Sequence, residues 1–314
     1  MVDISTVERI RLLAIPPAWT EVWICPWPNG HIQATGMDAA GRRQYRYHDE
    51  WHRHRGQVKF ERILAFAQAL PALRQKVAED LLVDATTKDK VVAATVRLLD
   101  IGCFRIGSEI YAEEHETFGV ATLRTEHVKI NKGEILFDYV AKGSLRRVVS
   151  VSDPEIEPLI ARLKRRRSTD RRLFAYKAGS RWVNVTSEDV NAYIKSVAGD
   201  QFSAKDFRTW SATVLAAATF AQVTESPTSK TARRRVEAQA VAVVAEQLGN
   251  TPAVCRSSYI HPLVIDRFES GETIVAALEL VGDSLDLTAL ETRAVIEEAV
   301  MELLGAESTK LRAA

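Results

Sequence analysis

Leu248-Gly249-Asn250-Thr251-Pro252-Ala253-Val254-Cys255-Arg256-Ser257-Ser258-Tyr259-Ile260-His261-Pro262 surrounds the residue around which the chain is organised. A Gly-Asn-Thr-Pro turn leads to a single tyrosine, with Arg256 and two serines just before it and Pro262 soon after. Tyr259 reads in two ways: as a nucleophile, or as a half-buried packing residue whose hydroxyl has found a convenient partner. The stretch alone does not choose between them, so the upstream residues decide.

Immediately upstream, Arg233 to Gln247 is predicted as a helix, and Ala204 to Phe220 as another. The second opens with Lys205-Asp206-Phe207-Arg208, which places Lys205 and Arg208 on one face because i and i+3 are neighbours on a helix. Further back, short strands are expected at Val120 to Leu123, Val128 to Ile130, Ile135 to Val140 and Arg146 to Val151. The turn Asn131-Lys132-Gly133 and the tip Ala141-Lys142-Gly143-Ser144 connect them, so Lys142 rides on a small three-stranded unit. At such a tip a lysine either closes on a ligand or merely solvates the turn. Ahead of this unit, Val91, Val92, Thr95, Leu98 and Leu99 define a helix face running towards Phe104-Arg105-Ile106-Gly107. Arg105 is costly in an apolar helix end unless it meets an anion or pairs with Glu109.

The N-terminal part has a different texture. Val22-Trp23-Ile24, then His31 to Gly36, then Arg42-Arg43-Gln44-Tyr45-Arg46-Tyr47-His48 read as antiparallel strands separated by turns at Pro28-Asn29-Gly30 and Asp38 to Gly41. Alternation puts Tyr45 and Tyr47 on one face and Gln44, Arg46 and His48 on the other. Such a segment suits a nucleic-acid groove, although an ordinary solvent-facing sheet has the same periodicity. Lys59 to Ala69 has helical spacing, and Pro71 is expected to interrupt it. A linker is expected between Ala78 and Lys88, giving a β-rich domain over 1–82 and a mainly helical domain over 83–314.

At 314 residues, two domains are the expectation, and 46% hydrophobic with 26% charged residues is the composition of a soluble protein. No apolar run approaches a membrane span, and Met1-Val2-Asp3-Ile4 lacks the features of a signal peptide, so a cytoplasmic location is expected. Cys25, Cys103 and Cys255 lie far apart outside any metal-ligand spacing and read as apolar fillers. The net charge of +1 hides an asymmetry. Basic runs lie at Arg42 to Arg62 and Arg162 to Arg172, whereas Glu269 to Glu302, including Asp283 and Asp286, is acidic. The final helix is expected over Thr288 to Leu304. The basic runs suggest a polyanion partner, or are simply solvated faces.

Arg105, Lys142, Lys205, Arg208, Asn250 and Tyr259 together match what phosphodiester transesterification demands. Two guanidiniums can hold both non-bridging oxygens and the added charge of a five-coordinate transition state. Asn250 can add a hydrogen bond without titrating, and a lysine beside other cations can protonate the leaving sugar oxygen. A phenol with a pKa near 10 makes a phosphotyrosine that stays reactive towards the returning hydroxyl, so resealing needs no ATP. No carboxylate or histidine cluster of ligand type accompanies them, which speaks against a metal-dependent nuclease.

Five blocks carry a family resemblance: Ile15 to Trp19, Gly41 to Tyr47, Phe104 to Gly107, Lys205 to Thr209, and Gly249 through Tyr259. In this order they resemble the small type IB DNA topoisomerases of bacteria and poxviruses. The resemblance implies an α+β, two-domain C-clamp on duplex DNA: a β-rich N-terminal domain, and a mainly helical catalytic domain of the tyrosine recombinase and topoisomerase IB kind with a small three-stranded sheet. It further implies supercoil relaxation by a monomer acting on nucleoid DNA, without ATP or an obligatory divalent metal. By the same resemblance Tyr259 is the nucleophile of a 3′-phosphotyrosyl link and Arg105 and Arg208 bind the phosphate. Lys142 protonates the 5′ oxygen, Lys205 assists, and Arg43, Gln44, Tyr45, Arg46 and Tyr47 contact DNA. Asn250 stands where the poxvirus pattern has histidine, which suits oxyanion contact rather than titration. A tyrosine site-specific recombinase is the alternative, since it shares the Arg, Lys, Arg and Tyr arrangement. Its second arginine usually ends a His-x-x-Arg box, whereas this chain has Lys205-Asp206-Phe207-Arg208.

Overall fold

The computed structural model describes residues 4–223, 229–282, 287 and 289–310, so Met1 to Asp3, Asp283, Asp286 and Thr288 lie outside the described residues. Two compact units are present, Met1–Arg62 and Ile63–Ala314.

In the first unit, helix α1 (Ile4–Leu12) precedes strands β1 (Thr20–Ile24), β2 (Ile32–Met37) and β3 (Arg43–Tyr47), which form an antiparallel sheet in that order. Gln33 is buried on β2 and fully occupied: it donates to the carbonyls of Trp27, Pro28 and Gly30 and accepts from Arg9 of α1. A buried amide pays for its desolvation only when its partners are present, so this one residue fixes the helix, turn and sheet together. Gly36 is required by close approach, because a Cβ there would lie 2.7 Å from the Trp19 ring.

Helix α2 (Asp49–Leu81) runs without a break through Pro71, contrary to the expected interruption. Proline removes one helical hydrogen bond, but Leu70 and Leu73 on either side of it are buried, and that burial outweighs the local cost. The two compact units divide inside this helix, at Arg62/Ile63. From Ile63 onward its apolar residues Phe66, Leu70, Leu73, Val77 and Leu81 belong to the core that also holds α3 (Lys88–Gly102). Helix α2 ends at Leu81 and α3 begins at Lys88, so the turn-prone Asp84 to Thr87 lie in the connection between them.

The second unit continues with α4 (Glu109–Glu114) and a 3₁₀ turn at Val120–Thr122, where a strand was expected. Strands β4 (Val128–Asn131), β5 (Glu134–Ala141) and β6 (Leu145–Ser152) then form the antiparallel three-stranded sheet. Lys132 and Gly133 both have positive φ, the geometry a two-residue hairpin needs. After α5 (Glu157–Arg165) comes a hairpin of β7 (Ala175–Ala178) and β8 (Arg181–Asn184), in a region expected to be helical. The remaining helices are α6 (Ser187–Ala198), α7 (Ala204–Ala221), α8 (Lys230–Leu248), α9 (Pro252–Ser258), α10 (Pro262–Glu269), α11 (Val275–Val281) and α12 (Leu290–Lys310).

Helix α7 is buried along almost its whole length, and its alanines let α3, α8 and α12 approach it. Beside it lies a charge network. Arg74 pairs with Asp100 at 2.8 Å and Glu297 at 2.7 Å, and Arg293 pairs with the same two carboxylates at 3.1 and 2.8 Å. Trp210 Nε1 donates to Glu297 at 2.9 Å, so Glu297 joins α2, α7 and α12, and Asp100 brings α3 into the same network. The acidic C-terminal segment thus contributes Glu297 to the core. In the second basic run, Arg162, Lys164, Arg166 and Arg172 donate to the backbone carbonyls of Asp84, Thr125, Leu173 and Ala121, respectively. Those four hold loops together rather than standing as a free basic face. The three cysteines are buried and free. Among the described residues no helix is long and apolar enough to cross a membrane.

Candidate active site

Three chain segments converge beside α7. The helix starts with a capping box in which Asp206 accepts from the Ser203 backbone N–H at 2.8 Å, which sets the register that turns Arg208 inward. Arg208 is 4% exposed; its guanidinium donates to the carbonyls of Cys103 at 2.6 Å and Leu248 at 3.0 Å, while Nε is buried without a hydrogen-bond partner. The first of these carbonyls is available because α3 ends with Cys103 in the left-handed conformation, φ 52°. That turn also delivers Arg105, which donates to the Gly249 carbonyl at 2.9 Å and to Asn250 Oδ1.

Gly249 ends α8 in the left-handed region (φ 61°), and the Asn250 N–H closes back to Ala245 at 3.0 Å. Thr251 then caps α9 by accepting from the Val254 N–H at 3.3 Å, with Pro252 in the first turn. Tyr259 follows at the end of this short helix. Its ring lies under Arg208, with the guanidinium carbon 5.2 Å from the ring centre. Thr213 on α7 fastens the backbone here: its hydroxyl accepts from the His261 N–H at 3.2 Å and lies 3.3 Å from the Tyr259 carbonyl oxygen.

The electrostatics follow from this packing. Burial pushes the Tyr259 phenol up, but Arg208, then Asn250 and Arg105, outweigh it, and its pKa lies below the ordinary phenol value. Burial, then the like charges of Arg208 and Arg147, brings the Arg105 guanidinium down to about 10. Among the described residues, no carboxylate pairs with Arg105, Arg147 or Arg208; carbonyl oxygens and the Tyr259 ring face their charge instead. An oxyanion placed here would meet several donors at once.

The structure therefore gathers Tyr259, Arg208, Arg105 and Asn250. Arg105 is not paired with Glu109, whose carboxylate instead accepts from Ser187 and faces Arg172. Lys142 is exposed at the β5–β6 tip, and Lys205 is exposed on the first turn of α7. In the first unit, Tyr45 and Tyr47 share a face with ring centres 6.0 Å apart. Gln44 donates to Asp38 at 2.8 Å, Arg46 donates to the Leu13 carbonyl at 2.8 Å, and Arg43 is exposed. Sequence reasoning missed Thr213 and Arg147. Arg147 donates from β6 to the Gln247 carbonyl at 2.9 Å, a partner nothing in strand alternation could name.

The chain belongs to the type IB DNA topoisomerase family: residues 48–275 match the family described as eukaryotic DNA topoisomerase I, catalytic core, and residues 1–38 match the bacterial DNA topoisomerase IB N-terminal domain. The recombinase alternative gives way to that membership. Among similar proteins, DNA topoisomerase 1B of Acanthamoeba polyphaga mimivirus is 30% identical over 276 residues, covering 86% of this chain and 82% of the relative. DNA topoisomerase 1B of vaccinia virus (strain Western Reserve) is 23% identical over 271 residues, covering 84% and 82%. A solved post-cleavage complex of the XerH site-specific recombinase aligns with a TM-score of 0.39 and 16% identity, covering 63% of this chain and 49% of that one.

Proposed function

We propose that this chain relaxes supercoiled duplex DNA by transient cleavage of one strand, rotation of the free end and resealing. The observation that carries the reading is the Tyr259 phenol lying under the buried Arg208, beside the half-buried Arg105 and Asn250, in a cluster of cations that no carboxylate pairs with among the described residues. Tyr259 Oη attacks the phosphorus; the new O–P bond forms as the P–O5′ bond breaks, leaving the 3′ end as a phosphotyrosyl ester. The phenol proton passes to solvent, and the proton gained by the O5′ comes from Lys142, with Lys205 assisting. Arg105, Arg208 and Asn250 hold the non-bridging oxygens as charge builds. In the reverse step the 5′ hydroxyl attacks the ester and returns the phenol.

Because the ester conserves the bond energy, the cycle runs without ATP, and the guanidiniums supply the charge that a divalent metal would otherwise provide. The enzyme acts as a monomer on nucleoid DNA in the cytoplasm, and Arg43, Gln44, Tyr45, Arg46 and Tyr47 contact the duplex. Plasmid relaxation in EDTA tests the mechanism: the wild type relaxes the substrate and Tyr259→Phe does not. Relaxation by the variant, or a magnesium requirement in the wild type, would overturn it.

A further inference from the structure

Successive carbonyls at the end of α8 are met by three guanidiniums from three elements. Arg147 on β6 donates to Gln247 at 2.9 Å and more weakly to Glu246 at 3.3 Å, Arg208 on α7 to Leu248 at 3.0 Å, and Arg105 to Gly249 at 2.9 Å. The last carbonyls of a helix have no partner within it and form the negative end of its dipole. They draw together three like charges that would otherwise repel one another. Arg147 is the member that the proposed chemistry has not used.

Its position gives it a task. Arg147 pairs across the sheet with Tyr139, two residues below the Ala141–Leu145 pair that closes the β5–β6 tip. That is about 7 Å along a strand. Residues 142–145 are all exposed, so the tip that carries Lys142 has little packing of its own and takes its position from the strands below. The Arg147 side chain also fills the notch at Gly249, where a Cβ would lie 2.9 Å from both its Cδ and its Nη1. One side chain thus joins the hairpin bearing Lys142 to the turn bearing Asn250.

We infer that Arg147 is a positioning residue for strand cleavage: by fastening the β5–β6 hairpin to the end of α8, it sets Lys142 against the leaving oxygen of a phosphate held by Arg105, Arg208 and Asn250. This rests on the proposed role of Lys142 as the acid. A residue acting through the acid should matter only when the leaving group needs a proton, whereas a merely structural residue would matter for any leaving group.

Single-turnover cleavage of a duplex with an ordinary 5′ oxygen, or with a bridging 5′ sulfur that departs as a thiolate, separates the cases. Lys142→Ala is expected to be slow on oxygen and restored on sulfur. For Arg147→Ala the expected loss is about 100-fold on oxygen, the scale of a small misplacement of a catalytic group, again restored on sulfur. Arg147→Lys, which keeps the charge and one donor, should fall between it and the wild type; if the alanine variant does not fold, the lysine variant carries the same comparison. Restoration of Lys142→Ala without restoration of Arg147→Ala overturns the inference and leaves the mechanism standing. Failure to restore Lys142→Ala overturns both, and wild-type cleavage of the oxygen substrate by Arg147→Ala overturns the inference alone.

Discussion

Arg74 and Arg293 share Asp100 and Glu297, two arginines with two carboxylates, and Trp210 completes the hydrogen bonding of Glu297. Arg105, Arg147 and Arg208 have only neutral partners: backbone carbonyls, the Asn250 amide and the Tyr259 ring. Both groups lie in the second unit, yet their electrostatics run in opposite directions. At Arg74 burial favours the neutral form but the two carboxylates outweigh it, so the guanidinium binds its proton more tightly than usual. At Arg105 burial and like charge act together, and the pKa falls to about 10. A neutralised cluster holds a fold together; an uncompensated one stores attraction for an anion that the fold itself does not supply.

Removing one member of each cluster should break different properties. Glu297→Ala leaves the buried Arg293 and the half-buried Arg74 guanidiniums short of charge and is expected to cost about 3–5 kcal/mol, read as a lower denaturant midpoint. At temperatures where this variant is folded, strand cleavage should proceed at the wild-type rate; a cleavage defect with unchanged stability would erase the distinction. Arg208→Ala should do the reverse, slowing single-turnover cleavage about 10²–10³-fold, as expected for a lost oxyanion donor, with less destabilisation than Glu297→Ala.

A smaller change tests the carbonyl side of the second cluster. Gly249→Ala forces a left-handed residue to carry a Cβ against Arg147 and should cost about 1–2 kcal/mol from backbone strain alone. A thermal melt identical to wild type would show that the turn can relax. The smallest effect concerns titration. Asn250 helps hold the Tyr259 phenol below its ordinary value, so Asn250→Ala should move the rising limb of the cleavage pH profile to higher pH. A shift to lower pH would mean that Asn250 opposes the phenolate.

Local chemistry made part of this legible. The β5–β6 hairpin follows from alternation and the Lys132-Gly133 turn, and Arg105 stood out because a lone charge in an apolar helix end needs a partner. Asn250 announced itself only as a turn residue, and its contact with Arg105 spans most of the second unit in sequence. Pro71 misled because local propensity was set against burial that only the assembled core reveals. The β7–β8 hairpin was missed because four-residue strands carry too little periodicity, although Gly179-Ser180 is a turn signal. Arg293 and Glu297, spaced i and i+4 in an otherwise acidic helix, offered a hint of the neutral network, but not of Arg74 or Trp210. In the basic run from Arg162 to Arg172, composition could not separate residues that cap carbonyls from residues that face solvent.

Thr213 has a mechanical consequence. Its single hydroxyl proton is shared between the carbonyls of Thr209, 2.8 Å away on its own helix, and Tyr259, while its oxygen receives the His261 N–H. The main chain of the tyrosine is thereby riveted to the helix that carries Arg208. A strand end esterified to Tyr259 would be tethered to a helix buried along almost its whole length, so torque from a rotating duplex would load α7 and the core around it rather than a loop.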